Sequence, residues 1–311
     1  MKFGTLIRHL ASRHLLCLVS LLALGALGDA VANPRAGEQR REGTVQKARS
    51  SGRIALGYRE YSVPFSYLSG GGEPIGYSID LCRVIVDAVA RKAGRQLTID
   101  WVKVTSDSRL DAVASGEVDL ECGSTTNNAE RARQVAFSPI IFVAGTKLMT
   151  RRDSSLKSFR DLGNSIVSVT SGTTNEKVLF DLRKRFDLAF SIVASEDHET
   201  SLELLLKGQA DALATDDVLL SGLIATHQLQ KEYRIVGDFL SYDPYGIMYG
   251  KNDPEMDRIV ESVINAMAQR RELDSLYDKW FMRRLPTGER IDLPMSPHLE
   301  AIFRVYGEKP K

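Results

Sequence analysis

The sequence predicts an α/β fold with mainly parallel sheets, on three observations. Strand-like and helix-like segments alternate beyond residue 50. A unit of amphipathic helix, helix-ending glycine and short strand occurs twice, as "RLDAVASGEVDLECGS" (residues 109–124) and "SLELLLKGQADALATD" (residues 201–216), with Ser124 and Asp216 at the same offset. Two extended, β-rich stretches, "SPIIFVAGTKLMTRR" and "LSYDPYGIMYGKNDP", follow the first and second copy respectively. The recurrence is either chance, such units being common, or the mark of two lobes of similar topology. In the second case the β-rich stretches carry the chain across and back, which makes the first lobe discontinuous. Ligands of parallel α/β sheets sit beyond the carboxyl ends of strands, so two facing lobes would enclose a cleft lined by post-strand residues.

The chain opens with Lys2, Arg8 and Arg13, an apolar run over residues 15–27, and Ala30-Val31-Ala32. This is the pattern of a secretory signal over residues 1–32, cut near Asn33; its apolar core is too short to span a bilayer comfortably. Residues 33–46 are polar and unpatterned and are expected to form a flexible leader. Strands are expected over residues 53–59 and 97–104, with a helix between them over 78–92 that places Leu81, Ile85, Ala88 and Val89 on one face. In "DLECGSTTNNAER" (residues 119–131) a strand end passes into small hydroxyl and amide residues, where Asn127 and Glu130 are spaced as the capping box of a helix. "VTSGTTNEKVLF" (residues 169–180) repeats the device, with Thr173 and Glu176 as the box. Asp253-Pro254 supplies an N-cap and a first-turn proline for a long helix. Residues 286–311 form a tail.

Formal net charge is +1, which excludes a strong field toward nucleic acid or an anionic membrane. Beyond the signal no segment is apolar for long enough to cross a membrane. The expected location is the periplasm, with no stable membrane insertion once the signal is removed. Cys82 and Cys122 allow one disulfide or two buried thiols, and spacing does not decide between them. Gly246 to Lys251 approaches a phosphate loop but is one residue short, with Asn252 where Ser or Thr should stand. No Gly-x-Ser-x-Gly elbow, His-Glu-x-x-His pair or Cys-x-x-Cys occurs. Past the signal the histidines are only His198, His227 and His298. No metal or cofactor is expected. What recurs is a helix start suited to anions, beside several arginines.

The segments "GYREYSVPFSYL", "GYSIDLC", "ECGSTTNNAERARQVAFSPIIFVAGTKL", "VTSGTTNEK", "LATDDVLLSGL" and "LYDKWF", in that order, resemble the periplasmic solute-binding proteins of polar amino-acid ABC importers, most of all their glutamate/aspartate-binding branch. The resemblance spans roughly residues 47–285. It implies a type II periplasmic binding protein fold, two α/β lobes joined by a two-strand hinge, with lobe 1 over residues 47–143 plus 246–285 and lobe 2 over 146–242. It also implies a monomer that closes on one small-molecule ligand, hands it to a membrane permease and catalyses nothing.

Carried over residue by residue, Arg131 matches the arginine that grips the ligand α-carboxylate, helped by Thr126 and by Thr173 and Thr174 at the second helix start. Asp216 matches the carboxylate that receives the α-ammonium, with Ser124 nearby. Arg59, Ser106, Arg109 and His198 resemble the group around the side-chain carboxylate. Charge supports the choice of an acidic ligand independently. Arg131 and Asp216 balance a zwitterion, which leaves Arg59 and Arg109 as surplus cations that a neutral side chain would bury unpaired at several kcal/mol each. A second carboxylate answers them with charge-assisted bonds.

Each residue also has a plain structural role open to it. Arg59 and Arg109 could pair with surface carboxylates, His198 could sit in a solvated loop, and Ser106 and Asp216-Asp217 could only cap helices. Phe65 and Tyr67 could be core or an aromatic wall over the ligand. Two further functions stay open at this point: a secreted enzyme of the same fold that dehydrates cyclohexadienyl acids, with His198 or Asp217 as general acid, and a ligand-loaded adaptor for a receptor.

Overall fold

The structure, a computed structural model, describes residues 42–308. The expected signal and most of the expected leader lie outside the described residues. The first element among the described residues is α1 (Thr44–Ser51), so the last three residues assigned to the leader are helical, with Thr44 and Val45 buried. There follow β1 (Arg53–Tyr58), the short strands β2 (Tyr61–Ser62), β3 (Ser66–Leu68) and β4 (Pro74–Ile75), α2 (Tyr77–Ala93), β5 (Thr98–Lys103), α3 (Arg109–Ser115), β6 (Leu120–Glu121) and β7 (Ala136–Phe137). A crossing strand, β8 (Phe142–Ala144), leads to β9 (Thr146–Arg151), β10 (Ile166–Thr170), α4 (Thr174–Arg185), β11 (Ser191–Ser195), α5 (His198–Leu206), β12 (Ala212–Asp216), α6 (Asp217–Thr226) and β13 (Tyr233–Val236). The chain returns through β14 (Asp243–Tyr245) to β15 (Met248–Tyr249), α7 (Pro254–Gln269), α8 (Glu272–Tyr277) and α9 (Pro297–Gly307).

Two five-stranded sheets result, in the orders β5-β1-β6-β15-β7 and β11-β10-β12-β9-β13. In each, the first three strands run parallel and the fourth is antiparallel to the third. The two sheets therefore share one topology, and the recurrence in the sequence is structural. The helices of the two copies, α3 and α5, each precede a glycine at positive φ, Gly116 at 89° and Gly208 at 69°, the left-handed conformation that glycine adopts without steric cost. The antiparallel pair β8 and β14 joins the lobes.

Local chemistry explains the elements. In α2 the residues Tyr77, Leu81, Ile85 and Val89 fall one turn apart and are all buried, which sets that face on the sheet. Strand β1 buries four consecutive residues because both sheet faces are covered. In lobe 2, side chains alternate: Val167, Val169, Ala212 and Ala214 enter one apolar cluster, whereas Met149 and Leu213 enter another with α5 and α6. The lobe 1 core continues into the hinge, where Phe65 meets Tyr77, Phe142, Tyr245 and Phe281 at centroid distances of 5.0–5.9 Å. Phe65 and Tyr67 are thus buried in the core cluster.

Asp253 caps α7 as expected, accepting from Met256 N, and also accepts from Thr44 N at 2.7 Å, so one carboxylate closes the starts of two helices. Cys82 on α2 and Cys122 beyond β6 are disulfide-bonded. The tail carries α9, which packs on α7 with Leu299 and Phe303 buried. Tyr306 Oη accepts from Ile140 N at 2.9 Å just before β8. His298 Nε2 lies 2.9 Å from Tyr242 Oη, the residue just before β14.

One expected element is corrected. No α-helix opens at Asn127; only a three-residue 3₁₀ turn, Arg131–Arg133, occurs there. The reason is competition from the hinge: Asn127 N donates to Pro244 O at 2.7 Å, Gly246 N donates to Thr125 O at 3.1 Å, and Thr126 bridges Tyr245. The backbone groups a helix would use are already bonded in an extended conformation. The turn is capped by Asn128, whose side chain accepts from Arg131 N, and not by Asn127.

Candidate functional site

Both copies of the helix–glycine–strand unit end at the boundary between the lobes, and the polar residues beyond β6 and β12 meet there. A small cavity is lined by Ser106, Arg109, Ser124 and Thr126 from lobe 1 and by Thr173, Thr174, Asn175, His198, Asp216 and Leu219 from lobe 2. Its free volume is about 10 Å³, about the room of one water. Arg59 and Arg131 are not among the lining residues, but both are buried beside the cavity and interact electrostatically with Arg109. All ten residues expected at the site therefore fall in one region, and none has the solvated or surface role that was open to it.

The lobes touch across this region. Thr126 Oγ1 and Thr174 Oγ1 are 3.3 Å apart. The Arg131 guanidinium donates to Thr126 O at 3.1 Å in lobe 1 and to Gly172 O at 3.2 Å in lobe 2. Thr173 caps α4 through Glu176 N at 3.2 Å, while Glu176 accepts from Gly172 N at 3.0 Å, a box shifted by one residue from the expected form. Gly172 has φ +69°, and a Cβ there would stand 2.1 Å from Asp107 Oδ1 of lobe 1. The close approach of the lobes requires glycine at this position.

Arg109 donates to Thr125 Oγ1 at 2.7 Å, and Thr125 Oγ1 donates to Glu121 Oε2 at 2.8 Å. Arg59 Nη1, Arg109 Nε and Ser106 Oγ are buried without hydrogen-bond partners. Such orphan groups cost about 1–3 kcal/mol each, more when charged, and two of the three belong to residues that line the cavity, which suits it to an acceptor. Burial and the neighbouring Arg109 push the Arg59 guanidinium down to about 9, still cationic at neutral pH. His198 is held through Nδ1, 2.7 Å from Thr170 Oγ1; burial, then Arg59 and Arg109, lower its pKa to about 3, so the ring is neutral.

Asp216 supplies the opposite charge. Asn175 Nδ2 donates to its Oδ1 at 2.7 Å, and the Tyr245 hydroxyl donates to its Oδ2. Burial and the nearby Asp243 raise its pKa to about 7. One face of the site thus offers guanidinium donors and the other a carboxylate that a cation would fully ionise. The arrangement can hold a small molecule carrying both charges. Among the described residues no cluster of three His, Cys, Asp or Glu side chains could hold a metal, and no helix is long and apolar enough to cross a membrane.

Sequence reasoning missed Asn175, Leu219, Thr125, Tyr245 and Glu121. The first two lie in the first turns of helices whose starts were recognised. Glu121 carried a readable signal, because a carboxylate between Leu120 and Cys122 on a strand buried on both faces has no solvent-facing position.

A model of the bacterial extracellular solute-binding proteins, family 3, matches residues 54–283. The chain is 36% identical to the glutamate/aspartate import solute-binding protein of Salmonella typhimurium over 93% of its own length and 96% of that protein. It is 38% identical to the L-glutamate/L-aspartate-binding protein of Pseudomonas aeruginosa over 84% of its length and 87% of the relative. A crystal structure of a mutant ArgBP from T. maritima superposes with a TM-score of 0.68 at 25% identity, covering 77% of this chain and all of that one.

Proposed function

The chain belongs to the bacterial extracellular solute-binding proteins of family 3, and from that membership we propose that it captures L-glutamate or L-aspartate between its lobes and delivers it to the permease of an ABC importer. The family is one of extracellular solute-binding proteins, which supports capture and delivery of a solute as the chain's role. The choice of an acidic ligand rests on one observation. Three buried donors, Arg59 Nη1, Arg109 Nε and Ser106 Oγ, lack acceptors, and Ser106 and Arg109 line the cavity. The two relatives named for glutamate and aspartate are consistent with it.

In this reading Arg131, Thr126, Thr173 and Thr174 hold the α-carboxylate, and Asp216 with Ser124 receives the α-ammonium. Arg59, Ser106, Arg109 and His198 surround the side-chain carboxylate, with the neutral imidazole as a hydrogen-bonding partner and not an acid. Binding shifts the population toward the closed form because the ligand touches both lobes only there. Residues 1–32 act as the export signal, and the mature chain works as a monomer.

Calorimetry of ligand-stripped protein against the twenty amino acids tests this directly. Tight binding of glutamate or aspartate, at least about tenfold over glutamine, is expected; preference for a neutral or basic amino acid would overturn the reading. One methylene separates the two acids and is worth only about 1–3 kcal/mol, so their order is left to that measurement. Incubation with prephenate or arogenate should give no product.

A further inference from the structure

Glu121 is a buried carboxylate placed among the arginines expected to hold an anion. It ends β6, paired with Gly57 of β1 and Met248 of β15, and is fully buried. Its Oε2 accepts from Thr125 Oγ1 at 2.8 Å, and that hydroxyl accepts from Arg109 at 2.7 Å, so a two-bond relay ties the carboxylate to the guanidinium. Its Oε1 has no partner. A Cβ on Gly123 would stand 2.2 Å from Oε1 and 3.1 Å from Arg59 Cγ, which places the carboxylate against the strand-end backbone and beside the second arginine. Glycine at 123 is the condition for fitting it there. The preceding inward carboxylate, Asp119, is bonded to Lys47 and Ala55 N and takes no part.

Two guanidiniums and one internal carboxylate leave a single positive charge in this half of the site. We propose that Glu121 is a specificity-determining residue: it fixes the side-chain pocket at one net positive charge, matching an amino acid whose side chain carries one negative charge and disfavouring one that carries two. This rests on the acidic-ligand reading and names the electrostatic limit within it. Without Glu121 the pocket would carry two unanswered charges and would suit a phosphate-like dianion. Asp107 and Asp197 also act on Arg59, and Asp216 and Asp107 on Arg109, but only Glu121 is tied to a guanidinium through a hydrogen-bonded hydroxyl.

The test compares L-glutamate with O-phospho-L-serine, whose phosphorus stands the same number of bonds from Cα as the glutamate side-chain carboxyl carbon. Glu121→Gln keeps an acceptor for Thr125 and removes the charge. Calorimetry on the full mature chain should show wild type preferring glutamate, and E121Q shifting the ratio of the two dissociation constants toward phosphoserine by about tenfold or more. An unmoved ratio, including equal loss of both ligands, overturns the proposal, since a merely structural role weakens both alike.

Should E121Q fail to fold, wild type alone decides. Between about pH 7.5 and about pH 5 the phosphate takes up a proton and becomes a monoanion, so phosphoserine should gain on glutamate. A constant ratio overturns the inference. His198, with its pKa near 3, stays neutral across this window, and Asp216, although it also acts on Arg109, is held ionised in either complex by the ligand's α-ammonium, so the proton it loses on binding is common to both and cancels in the ratio. Wild type that binds neither glutamate nor aspartate overturns the proposed function itself, and this inference with it.

Discussion

At the scale of single residues, the site is a set of charges whose burial makes each costly to leave unanswered. Arg59 and Arg109 are 2% and 3% exposed, so truncation removes a cation that water cannot replace. Arg59→Ala and Arg109→Ala are each expected to weaken glutamate binding by about 2–5 kcal/mol in calorimetry, with the circular dichroism spectrum unchanged. The pH dependence follows from Asp216, whose pKa is raised from 3.8 to about 7 in the free protein. An α-ammonium favours the ionised carboxylate, so below about pH 7 binding must displace a proton. Affinity should therefore fall as pH drops from about 7 to about 5, by at most about tenfold per unit, and calorimetry in buffers of different ionisation enthalpy should register proton release. These residues are legible through the resemblance of whole segments to amino-acid-binding proteins; local chemistry alone leaves each of them a plain structural role, because a hydroxyl or carboxylate past a strand end also caps helices. The sequence hid Tyr245 and Asn175, because an aromatic on a hinge strand and an amide inside a helix look like ordinary packing and surface.

At the scale of elements, periodicity and punctuation located β1, α2 and β5 to within a residue or so, while α1 begins in the stretch expected to be leader and α9 lies in the expected tail. The face of α2, the buried run of β1 and the Asp253-Pro254 start of α7 are local facts of the chain. The expected helix at Asn127 failed for a reason no local pattern contains, since its backbone partners sit on β14, more than a hundred residues away. Asp253 shows the same limit in a milder form: its cap on α7 was readable, its bond to Thr44 was not. Because it closes two helix starts, Asp253→Ala should cost about 1–3 kcal/mol in denaturant unfolding, more than a single cap. The Cys82–Cys122 bond closes a loop with a sequence separation of 40 and ties α2 to the strand end that carries Glu121. Its removal by reduction or by Cys82→Ser with Cys122→Ser should lower stability by about 2–4 kcal/mol, read from the same unfolding curves.

At the scale of the whole molecule, two lobes of one topology face each other with their strand ends inward, and the cavity between them has room for about one water. A ligand the size of an amino acid can enter only if the lobes part. Gly172 against Asp107 is one place where they meet closely. Gly172→Val should obstruct that approach and reduce glutamate affinity by about tenfold or more, at a site outside the ligand's own contacts. Small-angle scattering should show the variant remaining extended in the presence of glutamate, where wild type contracts.

The last helix adds a mechanical consequence. Tyr306 is bonded to the backbone just before β8, and His298 to the residue just before β14, so α9 grips both crossing strands at their roots while seated on α7. Ile140 belongs to the lobe on which the helix sits, whereas Tyr242 belongs to the other, so rotation of the second lobe must either drag the helix along or break the His298–Tyr242 bond. The carboxyl-terminal helix thus acts as a tether on the joint, held at its far end by a single side-chain contact.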